Sequence, residues 1–191
     1  MDFPDVLKKS YVQTAVMIII AILAVLIFWY GLTVVFRTPN PILAVASESM
    51  EPILYKGDLI LIEGINPADI YAATKDANPP GDIIIFHRPY GPDELIVHRA
   101  VEKDYADGTY SFRTWGDNNP VKDGWTVDEN QVVGKYLGKI PWVGNIALFF
   151  TDTDVKIAFI ALWVVVLVAI EVLPYLRNKM KTKNDEESLY K

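Results

Sequence analysis

The chain has 191 residues with a formal net charge of −6, and 51% of its residues are hydrophobic, which is more apolar than a typical soluble domain. It contains no cysteine and only two histidines, which excludes disulfides, thiolate metal sites, a cysteine nucleophile and a multi-histidine zinc site. The acidic charge argues against a nucleic-acid partner, because such partners normally require a basic surface that meets phosphates.

An apolar segment over residues 14–36 is predicted to be a transmembrane helix. The run from Ala15 to Phe36 carries no charge and exceeds the ~20 residues that cross a bilayer core. Trp29 and Tyr30 lie near its far end, where amphipathic rings favour the membrane interface. Residues 1–13 before it form a short polar segment.

A cleaved signal peptide is the alternative interpretation of this segment. Ala44-Val45-Ala46 is a small-x-small sequence of the kind found at signal-peptide cleavage sites. The apolar run is longer than the hydrophobic region of a signal peptide, which has about 7–15 residues. Arg37 and two prolines also separate it from the candidate cleavage site. These features favour an uncleaved anchor.

Residues 37–152 are predicted to form a β-rich domain, since about 110 residues suffice for one domain with its own core. Short β-branched or alternating runs bounded by Gly, Pro and Asp are typical of strands, and five are present: Asp58–Glu63, Asp82–Phe86, Leu95–Val101, Tyr110–Thr114 and Gln131–Leu137. The fully apolar run from Ile83 to Phe86 indicates a strand covered on both faces, as in a small barrel or sandwich. One helical turn is expected near Ala68 to Ala72, in the connector from Gly64 to Gly81.

A second apolar segment over residues 155–176 is predicted to be another transmembrane helix. A buried amphipathic helix is the alternative, but Ala158 to Ile170 is apolar on every face, which suits lipid. Glu171 lies close enough to the end of the segment to reach the interface. A basic tail over residues 177–191 follows.

Positive charge flanks the outer end of both apolar segments. Lys8 and Lys9 precede the first segment, and Arg177 and three further lysines follow the second. Because cytoplasmic flanks carry an excess of Lys and Arg, both termini are expected in the cytoplasm and the β-rich domain on the extracytoplasmic face. The chain is therefore predicted to be a multi-pass protein of the cell membrane.

Ser49, Met50 and Pro52 stand shortly after the first apolar segment. At this spacing they resemble the nucleophile box of signal peptidase I, while a Ser-rich turn ended by proline is the alternative for this motif alone. Three further stretches resemble boxes of the same family: Gly81-Asp82-Ile83-Ile84-Ile85-Phe86, Ile96-Val97-His98-Arg99-Ala100-Val101, and Gly116-Asp117-Asn118-Asn119 followed by Asp123. Their order and spacing match the archaeal and endoplasmic-reticulum branch of the family. His98 fits this branch too, because most bacterial members carry Lys at that position.

The resemblance implies a mainly β catalytic domain, a small barrel or sandwich, flanked by two transmembrane helices. It also implies a membrane-bound serine endopeptidase that removes N-terminal signal peptides from exported preproteins after small residues at −1 and −3. No metal and no cofactor are expected. The expected partners are preprotein signal peptides, the lipid bilayer and the protein translocation machinery.

The candidate catalytic residues follow from the chemistry of serine. A serine hydroxyl is a poor nucleophile until a neighbouring base takes its proton. Ser49 is the candidate nucleophile and His98 the candidate base, since imidazole exchanges protons near neutral pH. The resemblance places Asp123 as the acid residue that holds the imidazole, with Asp117 in a supporting network. The backbone N–H of Ser49 is one candidate oxyanion donor, and the resemblance implies the hydroxyl of Ser47, two positions before the nucleophile, as another.

An extended cleavage segment of the substrate is expected to pair with a strand edge, with alternate side chains entering two shallow pockets. Ile42, Leu43 and Ile84 are the candidate pocket residues. His87, the other imidazole, starts a turn and is expected to be solvated.

Two other classes of protein are alternatives to the enzyme. A non-catalytic, membrane-tethered β-domain that acts as a chaperone or assembly scaffold would tolerate loss of Ser49 or His98, yet every expected residue is present. A self-cleaving LexA-like peptidase would require a Lys base and a DNA-binding head, and the sequence shows neither. The enzyme interpretation is therefore favoured.

Overall fold

The computed structural model describes residues 3–151, 153, 155–163, 165 and 166, with side chains from residue 12 onward. Helix α1 spans Phe3–Phe36 and so begins within the short polar segment predicted over residues 1–13. Its part from Val12 to Phe36 has a mean hydropathy of 2.8 and is not buried against the rest of the protein. Within the described residues it is the one helix long and apolar enough to cross a membrane.

The end of α1 is fastened to the sheet by hydrogen bonds. Arg37 adopts a left-handed conformation, with φ at 54°, and this ends the helix. The N–H of Gly64 donates to the carbonyl oxygen of Phe36 at 2.8 Å, and Thr38 Oγ1 donates to that of Val133 at 3.0 Å. A Cβ on Gly64 would lie 2.0 Å from the Arg37 carbonyl oxygen, so this close approach requires glycine. The apolar helix therefore meets the β-rich domain at a defined place.

In the described part of the chain, seven antiparallel strands form one sheet that makes a half-barrel. Their order across the sheet is β1-β2-β7-β3-β4-β5-β6. The strands are β1 (Ile42–Ala44), β2 (Leu59–Glu63), β3 (Ile83–His87), β4 (Leu95–Ala106), β5 (Thr109–Trp115), β6 (Val127–Asp128) and β7 (Val132–Ile140). Up to residue 151, the other described elements after α1 are two 3₁₀ turns and a short helix: Pro67–Asp69, Glu129–Gln131 and α2 (Gly144–Phe149).

All five predicted strands are present, and the helical turn expected in the connector is the 3₁₀ turn Pro67–Asp69. Strand β4 continues past its predicted end at Val101 to Ala106, because its second half pairs with β5. Strands β1 and β6 were not predicted, since with 3 and 2 residues they are too short to show alternation.

The core lies on both faces of the sheet. A first cluster contains Val45, Met50, Leu54, Ile60, Ile62, Ile83 and Ile85. A second cluster contains Ile70, Ile84, Phe86, Ala100, Phe112 and Val127. Successive side chains of β3 point to opposite faces, and those from Ile83 to Phe86 are all buried, which confirms the prediction of a strand covered on both sides.

The chain divides into two compact units, with the boundary after Asn145. In the second unit, residues 155–163, 165 and 166 are helical. Phe159 contacts Phe150 and Trp163 edge to face, with ring centroids 5.3 and 6.2 Å away. The rest of the second predicted transmembrane helix and the basic tail, residues 167–191, lie outside the described residues. That helix therefore stays a prediction.

Candidate active site

Ser49 lies in the turn that follows β1. The loop is anchored just after it by Met50 and Leu54, which are buried in the first cluster with 1% and 0% of their surface exposed. The N–H of Leu54 donates to the carbonyl oxygen of Met50 at 2.9 Å. Ser49 Oγ then lies 3.2 Å from the hydroxyl of Ser47. The methionine of the motif therefore fixes the loop that presents the serine.

His98 faces Ser49 from strand β4. The register of β4 on β3 places His98 opposite Ile84, and the residue is 6% exposed. Its Nε2 lies 3.1 Å from Ser49 Oγ, and its Nδ1 lies 2.6 Å from Asp123 Oδ2. A neutral imidazole that donates from Nδ1 to the carboxylate has Nε2 free to accept, so the serine hydroxyl can donate to it. The three side chains thus form one hydrogen-bonded chain.

Asp123 is positioned by Thr114 of strand β5. The N–H of Asp123 donates to the carbonyl oxygen of Thr114 at 3.0 Å, and Thr114 Oγ1 donates to Asp123 Oδ2 at 2.6 Å. Thr114 is 0% exposed and Asp123 is 8% exposed. Thr114 was not among the residues predicted for the site. Its alternation with Phe112 in β5, which places both on the buried side, is the signal that could have found it.

Asp117 is paired with Arg99. The Arg99 guanidinium donates from Nε to Asp117 Oδ1 at 2.9 Å and from Nη2 to Oδ2 at 2.5 Å, and the two side chains are 6% and 5% exposed. Arg99 Nη1 also donates to the carbonyl oxygen of Gly81 at 2.5 Å, and Lys75 Nζ donates to that of Asp117 at 2.6 Å. A buried, bidentate ion pair therefore occupies the carboxylate and fixes the turn that carries it.

The same turn, between β5 and Asp123, also holds the loop over residues 46–57 that carries Ser49 (the Ser49 loop). Asn118 donates from its N–H to the carbonyl oxygen of Ser49 at 2.8 Å and from Nδ2 to that of Glu48 at 3.1 Å. A Cβ on Gly116 would lie 2.7 Å from the Ser49 carbonyl oxygen and 2.8 Å from His98 Nε2. A side chain at Gly116 would displace the serine or the histidine, so the site requires glycine there.

A second ion pair holds the far end of the Ser49 loop. Lys139 Nζ, from β7, donates to Asp58 Oδ2 at 2.8 Å and to the carbonyl oxygen of Ile53 at 2.9 Å. Burial raises the pKa of Asp58, but hydrogen bonds from Lys139 and the Tyr55 N–H, together with the lysine charge, outweigh burial and hold this pKa below its usual value. Asp58 is therefore ionised at neutral pH, and its ion pair with Lys139 holds the end of the loop in place.

The three candidate pocket residues differ in exposure. Ile42 and Leu43 of β1 are half-buried, and Leu43 packs against the first cluster. Ile84 is 0% exposed within the second cluster, so a substrate does not reach its side chain in this conformation. His87 ends β3 with 44% of its side chain exposed, and its Nδ1 lies 2.7 Å from Asp93 Oδ1 in a separate ion pair.

The arrangement of Ser49, His98 and Asp123 has the parts that acyl transfer through a serine requires. These are a hydroxyl, a base within hydrogen-bond reach of it, and a carboxylate that orients the base. Among the residues that the structure describes, no group of three or more His, Asp or Glu side chains is placed to bind a metal ion.

Comparison with known proteins identifies the family. No protein-family model matches the chain. The signal peptidase complex catalytic subunit SEC11 of Schizophyllum commune is 33% identical over 144 residues, which cover 66% of this chain and 73% of that protein. The chain belongs to the family of signal peptidase complex catalytic subunits.

Other signal peptidase subunits match to a similar extent. SEC11C of Homo sapiens and of Canis lupus familiaris are each 35% identical over 135 residues, covering 66% of this chain and 66% of each relative. SEC11 of Tuber melanosporum is 32% identical over 133 residues, covering 65% of this chain and 70% of the relative. The predicted resemblance to signal peptidase I is confirmed, and so is the enzyme class, which favours a signal peptidase over a scaffold.

Proposed function

We propose that Ser49, His98 and Asp123 are the catalytic residues of this signal peptidase, which removes N-terminal signal peptides from preproteins. The observation that carries the proposal is the hydrogen-bonded chain from Ser49 Oγ through His98 to Asp123, with distances of 3.1 and 2.6 Å. The relatives are catalytic subunits of a signal peptidase complex, which supports the same substrate class.

In this mechanism Ser49 Oγ attacks the carbonyl carbon of the substrate residue at −1. His98 Nε2 takes the hydroxyl proton and passes it to the leaving amine, so that the peptide bond breaks and an acyl-enzyme forms. Asp123 holds the Nδ1–H and stabilises the imidazolium that exists between these steps. The same imidazole then deprotonates a water molecule, which attacks the ester and releases the signal peptide with a free carboxylate.

The negative charge on the carbonyl oxygen during attack needs hydrogen-bond donors. We assign this role to the backbone N–H of Ser49 and the hydroxyl of Ser47, whose Oγ lies 3.2 Å from the nucleophile. One such donor is worth on the order of 10²–10³ in rate. Asp117 acts through its ion pair with Arg99, which fixes the turn between β5 and Asp123.

The substrate is proposed to bind as an extended strand between β1 and β4. Antiparallel pairing across the sheet makes these two strands run in the same direction, toward the catalytic pair. Among the described strands, none pairs with the outer edge of β1 or with residues 95–98 of β4 on the side away from β3. Leu43 of β1 and Leu95 and Val97 of β4 pack on the first cluster. A peptide between these free edges would set its −1 and −3 side chains on an apolar floor.

The pocket residues are assigned accordingly. Leu43 contacts the substrate directly in this arrangement, and Ile42 lies beside it on the half-buried strand. Ile84 is fully buried opposite His98 on the neighbouring strand β3, so it packs beneath His98 and does not contact the substrate. Leu95 and Val97 were not predicted, although the run of three half-buried apolar residues at the start of β4 could have indicated them.

Helix α1 is proposed to anchor the enzyme in the membrane without being cleaved. Ala44 pairs with Leu59 in the sheet, and Val45 is 5% exposed, so cleavage after Ala46 would require β1 to leave the sheet. A site tethered at the membrane surface meets preproteins where their apolar signal segments enter the bilayer. The protein translocation machinery is therefore proposed as a partner.

The proposed topology places residues 37–152 on the extracytoplasmic face and both termini in the cytoplasm, with residues 155–176 as a second span of the cell membrane. Protease added to intact cells or spheroplasts is expected to cut within residues 37–152 and spare the tail. Digestion of the tail alone would contradict this topology.

Incubation of the purified full-length chain in detergent with a preprotein tests the activity. Wild type is expected to release a mature protein whose N-terminus follows the −1 residue, as read by mass spectrometry. The variant Ser49→Ala is expected to leave the preprotein intact, while the matched control Ser111→Ala on β5 cleaves like wild type. A preprotein with Phe in place of Ala at −1 is expected to resist cleavage. Turnover by Ser49→Ala, or equal cleavage of both preproteins, would contradict the proposal.

A further inference from the structure

A cavity of about 520 Å³ opens beside the Ser49 loop. Glu48 and Glu51, which flank Ser49 in the sequence, line it, together with Tyr55 and Trp142. Neither glutamate forms an ion pair with any residue that the structure describes. Trp142 is 80% exposed and adopts a left-handed conformation, with φ at 68°. The cavity thus combines two unpaired carboxylates with aromatic surface.

This cavity adjoins the loop that carries Ser49, at the end of the sheet toward which β1 runs. The cleft follows β1 toward Ala44, the last residue of that strand. The cavity lies at the same end of the sheet, where Asp58 precedes β2 and Lys139 and Pro141 stand at the end of β7. A substrate that fills the cleft with residues up to −1 and continues past Ser49 in the direction of β1 would run beside the loop whose Glu48 and Glu51 line the cavity.

The charges that face the cavity do not cancel. Asp58 and Lys139 form an ion pair at 2.8 Å, so each neutralises the other. The remaining charged side chains of the lining are Glu48, Glu51 and Lys56, two negative against one positive. The carboxylates of the two glutamates are therefore available to a cationic ligand.

We propose that this cavity binds the first residues of the mature protein, which follow the scissile bond, and that Glu48 and Glu51 make it prefer cationic over acidic residues there. The inference rests on the proposed function, since it takes the preprotein as the substrate and the cleft as the site of its signal-peptide side. Tyr55 and Trp142 supply apolar contact for the stems of long cationic side chains.

Three matched preproteins test the preference. They share Ala at −1 and −3 and carry Lys, Gln or Glu at both +2 and +3, and kcat/KM is measured for each. Wild type is expected to cleave the Lys preprotein at least about threefold faster than the Glu preprotein, with Gln between, since exposed charge pairs are individually weak. The ratio is expected to fall between about 50 mM and about 500 mM salt, because exposed charges are screened.

Two double variants locate the source of the preference. Glu48→Gln/Glu51→Gln is expected to bring the Lys-to-Glu ratio close to 1. Asp104→Asn/Asp107→Asn removes the same charge from the tip of the β4–β5 hairpin, about 20–30 Å along the strand from His98, and is expected to keep the wild-type ratio.

Cleavage of the Gln preprotein by wild type reports the peptidase activity separately from the preference. A wild-type ratio of 1 with the Gln preprotein cleaved would therefore overturn the assignment of the cavity and leave the proposed function standing. A wild-type ratio that persists in Glu48→Gln/Glu51→Gln would overturn it equally.

Discussion

Thr114 and Asp123 are joined twice, by the threonine hydroxyl on the carboxylate at 2.6 Å and by the aspartate N–H on the threonine carbonyl oxygen at 3.0 Å. The same Oδ2 that accepts the hydroxyl lies 2.6 Å from His98 Nδ1. The carboxylate therefore loses a second hydrogen bond if it rotates away from the imidazole. We therefore propose that Thr114 is a positioning residue for His98, the proposed base.

The variant Thr114→Val keeps the shape of the side chain and removes its hydroxyl. We expect kcat to fall by about tenfold to a hundredfold with KM nearly unchanged, because a hydrogen bond to a charged group is worth about 1.5–3 kcal/mol. Thr114→Ser should restore most of the rate, and Thr126→Val, at an exposed threonine, serves as the control. A wild-type kcat in Thr114→Val, with only the melting temperature lowered, would reduce Thr114 to a structural residue.

Substitution of Asp123 should mainly lower the rate of cleavage, whereas substitution of Asp117 should mainly lower the stability of the fold. Asp123→Asn is expected to lower kcat on the order of 10³–10⁴, since an amide neither stabilises the imidazolium nor holds its tautomer. Asp117→Asn leaves the Arg99 charge buried without its partner, which costs about 3–5 kcal/mol of folding free energy. Rates and melting temperatures of both variants decide the matter. If Asp117→Asn is inactive yet fully stable, the acid of the triad has been assigned to the wrong residue.

His98→Lys is expected to be inactive, although lysine is the base of most bacterial relatives. The amine of a lysine at this position would face the buried Asp123 carboxylate, which favours the charged ammonium form. A protonated lysine cannot take the serine proton. Cleavage assays up to about pH 10, near the usual pKa of lysine, test this. Turnover near neutral pH within tenfold of wild type would contradict the prediction.

Asp58 is expected to stabilise the folded protein at neutral pH and to lose this contribution in acid. Its pKa lies below the usual value in the folded protein, so the folded state binds this proton less readily than the unfolded chain does. The stabilisation is complete above the pKa of Asp58 in the unfolded chain, which is about 4, and is lost as the pH falls through the lowered pKa of the folded state. Asp58→Asn should therefore be less stable than wild type by about 1–3 kcal/mol at neutral pH, and this difference should shrink by about pH 3. An equal difference at both pH values, measured by urea unfolding in detergent, would refute the assignment.

The sheet was largely predictable because its longer strands carry apolar runs bounded by turn residues. The pairing of β1 was not, since Ile42–Ala44 becomes a strand only through its three partners in β2. Its formation matters for the site, because β1 is an edge strand of the sheet and Ser49 follows its last residue, Ala44, by five positions.

The environment of the site was less predictable than its residues. The resemblance placed Asp117 in a supporting network without naming its partner, and the structure pairs its carboxylate with Arg99, 18 positions earlier in the chain. Such a partner is decided by the register of β4 on β5, which places Arg99 opposite Trp115, next to the turn. Thr114 was missed for a related reason, since a threonine in a strand gives no local sign of the carboxylate that it contacts.

The most direct measurement is a double-mutant comparison of Ser49 and His98. kcat for preprotein cleavage is measured with the full-length wild type and with Ser49→Ala, His98→Ala and the combined variant. Each single variant is expected to lose on the order of 10⁴–10⁶ in kcat, and the combined variant should be little worse, because the two side chains act as one unit. Losses that add in the double variant, or wild-type turnover by either single variant, would contradict a catalytic pair formed by Ser49 and His98.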